Sequence, residues 1–307
     1  MLNLIGNTPI VKIETGIEHI NLYAKCEFMN PTGSIKDRVA KYIFEHLKTK
    51  NSLKKTKLIV EASSGNMGTS LAALSKFYGY KVHITCPEKT GLLKRNMIKE
   101  FGADLTICPS VTDTSDPNFY VNTARKIAID NNGYFINQYD NFLNVDCHYD
   151  TTGQEIIDYF DEKEMGLDYF ITVGGSGGTI TGCAKKIRSR FPHVQVVMPD
   201  PCGSVYYDLF YHNKVIEKNI YGYKVEGPGN PVYCKSMDLS LLDQVIRFTD
   251  NDAFQACREL SKEHGILGGH SSGANYFVYK KLLSFIDLKR KQNILIIIPD
   301  NGIKYLL

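Results

Sequence analysis

The amino-acid sequence predicts an α/β fold, with two packed three-layer domains built on mostly parallel sheets. Short β-branched runs alternate with longer amphipathic stretches, which is the βαβ pattern of open parallel sheets. The runs are continuously apolar, so the strands are expected to be buried on both faces. The 307 residues are about twice the length of a typical ~150-residue domain, and they contain no internal repeat.

Each predicted strand is a short run rich in Val, Ile and aromatic residues. In chain order the strands begin near residues 57 (KLIVEA), 81 (KVHITCP), 104 (DLTICP), 134 (YFINQ), 168 (DYFITVG), 194 (VQVVMPD) and 293 (NILIIIPD). The apolar spacing between them predicts helices over Met67 to Tyr78, Leu92 to Phe101, Phe119 to Asn131 and Thr179 to Arg190.

The distribution of these elements predicts two domains. Residues 41–146 contain four of the strands and are expected to form a smaller α/β domain. Residues 1–40 and 147–307 are expected to form a larger one. Open α/β sheets bind ligands at the carboxyl ends of their strands, so a site is expected in the cleft between the domains.

Composition excludes several classes of protein. The formal charge of +3 is too small for a nucleic-acid or membrane-surface protein, and we interpret the basic stretches 48–57 and 289–291 as solvated turns. No apolar run is long enough to cross a bilayer and the start lacks a signal-peptide pattern, so a cytoplasmic protein is expected. The eight cysteines are irregularly spaced and are expected to be reduced core thiols, and the histidines have no metal-ligand spacing.

The segment ITVGGSGGTITG is the strongest candidate for anion binding. Here a strand over Phe170 to Val173 runs into a series of small residues before a helix. Successive backbone N–H groups can converge on an anion in such a loop, and the helix dipole adds to the attraction. The loop has neither the Lys-Ser/Thr pair of a P-loop nor the spacing of a dinucleotide site. We interpret it as a phosphate cradle.

The segment IVEASSGNMG is a second candidate. It presents hydroxyl, amide and N–H groups after the strand Leu58 to Val60, and Ser63, Ser64 and Asn66 suit a small carboxylate better than a phosphate. The same residue types also cap helices by accepting bonds from the first N–H groups. These residues by themselves leave carboxylate binding and helix capping both open.

The segment NPTGSIKDR places Lys36 in the first turn of a helix. Pro31 and Gly33 form a turn, Ser34 can cap the helix, and Asp37 completes a capping-box-like pattern. A helix N-terminus and a dry cleft both disfavour an ammonium, so the pKa of Lys36 is expected to be lowered. A lowered pKa is what a lysine needs to form a Schiff base.

Together these segments resemble the pyridoxal-phosphate enzymes of fold type II, specifically the cysteine synthase and cystathionine β-synthase group. The resemblance spans essentially the whole chain. The matching motifs are GNTPI (6–10), NPTGSIKDR (30–38), SSGNMG (63–68), NQY (137–139), HYDTTGQEI (148–156), GGSGGTITG (174–182), EGPGN (226–230) and GGHSSGA (268–274).

The resemblance implies pyridoxal 5'-phosphate as cofactor, and it implies a role for each matching residue. Lys36 would hold the cofactor through a Schiff base and then move the substrate α-proton. Asn66 would bond the ring hydroxyl, and Ser271 would face the pyridine nitrogen. The cofactor phosphate would be held by Gly175, Ser176, Gly177, Gly178 and Thr179. The substrate would be bound by Ser63, Ser64, Gly65, Met67, Gln138, Gly227 and Gly229, with closure of the smaller, mobile domain.

The implied reaction is β-replacement on an activated L-serine or on L-cysteine. A neutral Ser271 fits this chemistry, because an unprotonated ring favours prompt β-elimination. The leading hypothesis is cysteine synthesis from O-acetylserine and sulfide. Local likeness to a siderophore-associated branch keeps open the condensation of O-phosphoserine with glutamate toward 2,3-diaminopropionate, in which Arg125 would hold extra substrate charge. Cysteine β-replacement with release of hydrogen sulfide also stays open.

The sequence departs from the family pattern in three places. Met67 stands where cysteine synthases usually carry Thr, and Pro228 stiffens the entrance segment. There is neither a haem-binding extension nor a regulatory domain, so a haem-regulated cystathionine β-synthase is not expected. The family further implies a homodimer. His148 and His270 are interpreted as structural rather than as acid or base. A catalytically silent relative and a nucleotide-binding oxidoreductase are the alternatives of another class.

Overall fold

The computed structural model describes residues 1–49, 57–111 and 113–306, and it confirms an α/β protein with mostly parallel sheets. The strands are β1 Ile10–Ile13, β2 Ile20–Cys26, β3 Leu58–Ala62, β4 Lys81–Pro87, β5 Asp104–Cys108, β6 Tyr134–Phe135, β7 Tyr169–Ile171, β8 Gln195–Pro201, β9 Gln244–Phe248 and β10 Gln292–Ile298. A six-stranded sheet has the order β1-β2-β10-β7-β8-β9, and a four-stranded sheet has the order β5-β4-β3-β6. All neighbours are parallel except β1 and β2.

Helices connect the parallel strands. They are α1 Lys36–Thr49, α2 Asn66–Tyr78, α3 Leu92–Glu100, α4 Tyr120–Asp130, α5 Leu143–Cys147, α6 Gly153–Glu162, α7 Gly178–Arg190, α8 Tyr206–His212, α9 Asp250–His264 and α10 His270–Leu282. A π-helical turn, His148–Thr152, joins α5 to α6. The ends of α9 follow the expected chemistry, because Thr249 and Asp252 form a capping box and Gly265 has a left-handed φ of 68°.

Each sheet is covered by helices on both faces. In the six-stranded sheet, Phe170 packs with Phe160 of α6 on one face, while the next residue, Ile171, packs with Val278 of α10 on the other. The four-stranded sheet alternates in the same way. Ile59 joins a core with α1 and α2, and the following Val60 joins a smaller core with α4. Period-two alternation of buried side chains therefore produces two three-layer units.

Three strands, β1, β2 and β9, are not predicted by the sequence analysis. β2 is central, yet it contains Lys25, which is 1% exposed and bonded to Glu155 at 2.6 Å and to the Thr8 carbonyl at 2.7 Å. β9 likewise contains Arg247, which pairs with Asp208 at 2.8 Å. β1 is a four-residue edge strand. In β2 and β9 a paired cation, buried at Lys25 and partly exposed at Arg247, interrupts an apolar run, so the pattern that identifies strands is lost.

Two details of the predicted strands are wrong. The strand before the small-residue loop ends at Ile171 rather than at Val173. β5 and β6 are not buried on both faces, because they lie at the two edges of their sheet: only Cys108 is buried in β5, and both residues of β6 are partly exposed. The helices agree with the prediction to within one residue at each end.

The remaining expectations concern composition. All eight cysteines are free thiols, and six of them are buried. The basic stretch 289–291 is exposed, as expected, whereas residues 50–56 of the other basic stretch lie outside the described residues. Among the described residues, the helices are all too short or too polar to span a lipid bilayer.

Candidate active site

Lys36 is the first residue of α1, as predicted. Burial lowers the pKa of its ammonium to about 8, against the contributions of Cys147 and Glu61, which raise it. The direction is the expected one, and its main cause is desolvation. In the described part of the chain, the Lys36 Nζ has no hydrogen-bond partner, so the amine is free to react.

The helix cap ahead of Lys36 differs from the prediction. The Ser34 hydroxyl accepts only a long bond, 3.4 Å, from the Lys36 backbone N–H. The Asp37 carboxylate reaches back to Thr32 instead, accepting from its backbone N–H at 2.7 Å and from its hydroxyl at 2.5 Å. Asp37 also accepts from the Ser70 hydroxyl at 2.6 Å. Because Ser70 lies on α2, this carboxylate ties the lysine segment to the segment SSGNMG.

Ser63 caps the helix that follows it. Its Oγ accepts from the backbone N–H groups of Gly65 at 3.2 Å and Gly68 at 3.0 Å. Within the described residues, the N–H groups of Ser64, Asn66 and Met67 donate to no protein acceptor. Capping and carboxylate binding are therefore divided between different atoms of one loop: the Ser63 oxygen serves the cap, and the free N–H groups remain for an anion.

The Met67 side chain does not line a binding site. It is 2% exposed and belongs to the core between α1, α2 and the four-stranded sheet. The substrate-binding role predicted for Met67 therefore concerns its backbone, and it stays a prediction. Gln138 is buried beside the same loop, and its side chain donates to the Ala62 carbonyl at 3.4 Å.

The glycines of the loop 174–178 are required by close packing. A Cβ on Gly175 would lie 2.0 Å from the Gly227 carbonyl oxygen, and one on Gly178 would lie 2.3 Å from the Asn144 side chain. Gly177 has a left-handed φ of 94°, and a Cβ there would lie 2.5 Å from the Met237 Cα. No other residue type fits this backbone without displacing its neighbours.

The same loop leaves its donors available. In the described residues, the backbone N–H groups of 175–179 have no protein acceptor. The N-cap of α7, Gly177, supplies no side-chain oxygen to them. Free N–H groups at the positive end of a thirteen-residue helix are the chemistry of a phosphate site.

Two side chains from outside the loop, those of Asn144 and His148, hold it in position. The Asn144 amide donates to the Ser176 hydroxyl at 2.9 Å and to the Gln138 carbonyl at 3.0 Å, so it links the loop 174–178 to Gln138. The His148 Nε2 lies 3.2 Å from the Thr179 hydroxyl, and its Nδ1 lies 3.0 Å from that of Thr152. Burial holds the pKa of His148 well below its usual value. A neutral imidazole that is hydrogen-bonded at both nitrogens fits the structural role expected of His148.

The entrance segment lies directly against the cradle. Gly229 donates to the Gly174 carbonyl at 2.7 Å, and both Gly227 and Gly229 have left-handed φ values, 102° and 70°. The Pro228 carbonyl accepts from the Tyr223 hydroxyl at 3.1 Å. These contacts fix the turn in place, in agreement with the stiffness expected of Pro228.

A partly buried ion pair connects the entrance segment to residues 63–68, here called the substrate loop after its predicted role. Lys94 of α3 is 3% exposed and its Nζ lies 2.5 Å from the Glu226 carboxylate. The Nζ also lies 4.2 Å from the Tyr305 ring centroid. A Cβ on Gly65 would lie 2.9 Å from the Lys94 Cδ, so this side chain runs along the substrate loop.

Asn66 and Ser271 lie at the starts of two helices. Asn66 begins α2 and its side chain contacts Asp300 and Lys304 near the C-terminus. Ser271 is buried in the first turn of α10, and Gly269, just before this helix, donates its backbone N–H to the Asp300 carbonyl at 3.0 Å. Asp300 thus contacts Asn66 directly and the backbone just ahead of the helix that contains Ser271.

A buried carboxyl group lies behind the substrate loop. Glu61 on β3 is fully buried, and its Oε1 accepts from the Gln138 backbone N–H at 3.3 Å. Its Oε2 has no partner among the described residues. Burial raises the pKa of Glu61 to about 8, although the charge of Lys36 opposes this. Glu61 and Lys36 are therefore coupled groups with similar pKa values.

Of the two other candidates, Arg125 lies apart from this arrangement and His270 lies at its edge, against Tyr305. Arg125 is exposed and contacts Asn122 and the Phe135 ring, so the structure gives it no link to the loops described above. The His270 ring packs against Tyr305 and Phe254, with centroid distances of 4.3 and 4.6 Å, and burial lowers its pKa.

Sequence reasoning missed Glu61, Lys94, Asn144, Asp300 and Lys304. Glu61 and Asp300 stand inside or beside quoted segments, IVEASSGNMG and NILIIIPD, and a carboxylate at the end of a buried strand is the signal that was available. Lys94 and Lys304 give no such signal, because exposed lysines on helices and termini are common.

A protein-family model described as "Pyridoxal-phosphate dependent enzyme" matches residues 1–300. The chain is 33% identical over 310 residues to cystathionine beta-synthase of Dictyostelium discoideum, covering 100% of this chain and 60% of that protein. It is 30% identical over 307 residues to cysteine synthase of Staphylococcus aureus, covering 99% and 94%. The chain thus spans less than two thirds of the first relative and nearly all of the second.

The fold has a close counterpart among solved structures. A crystal structure of O-ureido-L-serine synthase superimposes with a TM-score of 0.89 at 28% identity, and the match covers 99% of this chain and 92% of that one.

Proposed function

The chain belongs to the family of pyridoxal-phosphate-dependent enzymes, and from this premise we propose that it makes L-cysteine from O-acetyl-L-serine and sulfide, releasing acetate. Its relatives identify it as a β-replacing enzyme of that family, with pyridoxal 5'-phosphate as cofactor. The choice of substrates is our proposal. Similarity to a cysteine synthase over 94% of that relative's length supports it.

The residues present fit this cofactor. The free N–H groups of 175–179 suit its phosphate, and the unpartnered Lys36 amine suits its aldehyde. The crowding around Gly175, Gly177 and Gly178 keeps those N–H groups in one arrangement. When bound, the cofactor supplies an electron sink for charge that develops at the substrate Cα.

The chain's own groups bind the substrate and move its protons. The free N–H groups of Ser64, Asn66 and Met67 suit the α-carboxylate. Because burial lowers its pKa to about 8, the Lys36 Nζ is partly an amine near neutral pH and can accept the proton from the substrate Cα. The Lys94–Glu226 pair and the Gly229–Gly174 bond hold the entrance segment against these loops.

The charges around the site favour a substrate with an uncharged acetyl ester over one with a phosphate ester. A phosphoserine side chain adds negative charge that a free cation would stabilise, and the described cations near the loops already have hydrogen-bond or ion-pair partners. Lys94 is bonded to Glu226, Lys304 to Asn66, and Arg38 to Glu27 and Glu155. This pairing is the observation that carries the choice of O-acetylserine.

A substrate screen tests the proposal. The loaded enzyme is given O-acetylserine, O-phosphoserine or cysteine, each with sulfide, homocysteine or glutamate, and acetate, phosphate and amino-acid products are measured. We expect cysteine and acetate from O-acetylserine and sulfide. Turnover of O-phosphoserine with an inert O-acetylserine would contradict the proposal and favour the siderophore-type condensation. Lys36→Ala should lower kcat at least ~1,000-fold, because it removes the base and the covalent anchor together.

We further propose the domain division 41–146 against 1–40 plus 147–307, with the smaller domain mobile. Strands β3 to β6 all fall inside 58–135, which supports it. The boundary between residues 40 and 41 falls within helix α1. Val39 and Ala40, on the larger-domain side of that boundary, pack in the core of the four-stranded sheet. A cytoplasmic homodimer is proposed by analogy with the family, and sedimentation equilibrium of the purified chain tests the dimer.

A further inference from the structure

The side chain of Asn66 is held at both of its polar atoms. Its Nδ2 donates to the Asp300 Oδ2 at 2.7 Å. Its Oδ1 accepts from the Lys304 Nζ at 2.9 Å. Both partners come from the last residues of the chain, Asp300 after β10 and Lys304 in the 3-10 turn Gly302–Tyr305.

These two partners allow one orientation of the amide. A carboxylate only accepts hydrogen bonds and an ammonium only donates them. Turning the carboxamide by half a rotation would set its oxygen against Asp300 and its NH₂ group against Lys304, so both contacts would become repulsive. The amide therefore keeps its nitrogen toward Asp300, and one N–H of Nδ2 remains unused by this pair of contacts.

The two partners are themselves fixed. Asp300 is 1% exposed and also accepts from the Tyr305 hydroxyl at 2.6 Å, while its backbone carbonyl accepts from Gly269. The Lys304 Nζ donates a second, longer bond of 3.4 Å to the Gly33 carbonyl in the turn ahead of Lys36. The charged groups around Lys304 are Asp300 and Asp37, which attract it, and Lys94, which repels it.

We propose that Asp300 and Lys304 are positioning residues that orient the Asn66 carboxamide, so that it presents an N–H and not its oxygen to the ring hydroxyl of the cofactor. The inference rests on the ring-binding role proposed for Asn66. An N–H donor stabilises the ionised form of that hydroxyl, whereas an amide oxygen would stabilise the protonated form. The C-terminal turn thereby affects the charge on the ring.

The test compares four variants of the full-length protein: Lys304→Met, Lys304→Arg, the double variant Lys304→Met with Asp300→Asn, and Asn66→Ala. Cofactor affinity is measured by absorbance titration, and the visible spectrum of each loaded enzyme is recorded against pH. Thermal unfolding of each cofactor-free variant shows whether it is folded. Lys291→Met, an exposed lysine outside the site, is the matched control.

Lys304→Met should weaken cofactor binding about tenfold and move the pH midpoint of the visible absorbance upward, because the donor is presented less often. The double variant should enlarge both effects, since the amide then loses both restraints. Lys304→Arg should return the midpoint to the wild-type value, because a guanidinium also donates to Oδ1. A purely structural role of Lys304 would lower the unfolding temperature without moving the midpoint.

The outcomes distinguish the orienting role of Asp300 and Lys304 from the ring-binding role proposed for Asn66. If Asn66→Ala leaves the midpoint unchanged, Asn66 does not bind the ring hydroxyl and the proposed site is wrong at this residue. If Asn66→Ala moves the midpoint while folded Lys304→Met and double variants do not, the orienting role of the C-terminal turn is overturned and the site stands.

Discussion

Two strand-to-helix junctions of this protein have the same topology and opposite hydrogen-bond chemistry. After β3, residues 63–65 lead into α2, and the Ser63 oxygen accepts two of the N–H groups at the start of the helix. After β7, residues 172–177 lead into α7, and in the described chain the N–H groups of 175–179 find no acceptor. The start of α2 is partly satisfied by Ser63, which leaves the N–H groups of Ser64, Asn66 and Met67 without a described acceptor, while the start of α7 has no such cap.

The difference lies in which side chains the local packing permits. At the cradle, Gly227, Met237 and Asn144 come so close that a Cβ could not be added at Gly175, Gly177 or Gly178, and the Ser176 hydroxyl accepts from Asn144 and does not cap α7. At the substrate loop there is room for Ser63 and Ser64, and the cap follows. Close packing of glycines thus creates an anion site by excluding the side chains that would otherwise fill it.

The largest test of this comparison is Gly177→Ala. The left-handed φ of 94° and a Cβ contact of 2.5 Å with the Met237 backbone predict displacement of the loop. We expect cofactor affinity to fall at least ~100-fold and the free energy of unfolding to fall by ~2–4 kcal/mol. Absorbance titration and urea denaturation measure the two effects. Gly166→Ala is the control, because Gly166 is exposed with open space around it, and it should change neither.

A second test is Glu61→Gln, which concerns the buried carboxyl behind the substrate loop. The folded pKa of Glu61, about 8, is above its usual value of 4.5, so between these two pH values the folded protein binds more protons than the unfolded one. Stability contributed by this site therefore falls as pH rises through that window. Glutamine stays neutral and keeps the acceptor for Gln138, so the variant should gain ~1–4 kcal/mol over the wild type between pH 5 and pH 8.

Urea denaturation of the cofactor-free proteins at several pH values checks this prediction. A stability difference that stays constant from pH 5 to pH 8 would mean that Glu61 is already ionised at low pH in the folded state. Glu162→Gln is the control, since Glu162 is exposed and its carboxylate has no hydrogen-bond or ion-pair partner among the described residues.

Much of the architecture could be predicted from the sequence. Helices α2, α3, α4 and α7 have apolar spacing and clear ends, and their predicted bounds agree with the structure to within one residue. Strands β2 and β9 could not be found, because Lys25 and Arg247 break their apolar runs and meet their carboxylate partners only in the folded chain. A charge that is paired by residues more than a hundred positions away leaves no local pattern, as Lys25 and Glu155 illustrate.

The candidate site divides in the same way. Lys36, the cradle and Ser63 could be located because their chemistry is carried by adjacent residues in one segment. The partners of these groups could not be, because each arrives from a distant part of the chain: Asn144 at Ser176, Lys94 at Gly65, and Asp300 at Asn66. The predicted capping box failed for a related reason. The Asp37 carboxylate accepts hydrogen bonds from Thr32 and from Ser70 of the neighbouring helix, so these donors take the place of the N-cap residue.

The smallest expected effect distinguishes the two functions assigned to the substrate loop. Ser63→Ala removes an oxygen that accepts two N–H bonds, so the free energy of unfolding should fall by ~1–2 kcal/mol. Ser64 makes no side-chain bond in the described residues, and Ser64→Ala should leave stability unchanged. If Ser64 instead contacts substrate, its replacement raises KM for the amino acid with kcat retained. Equal losses of stability in the two variants would show that the cap is shared, and that capping and carboxylate binding are not divided between these serines.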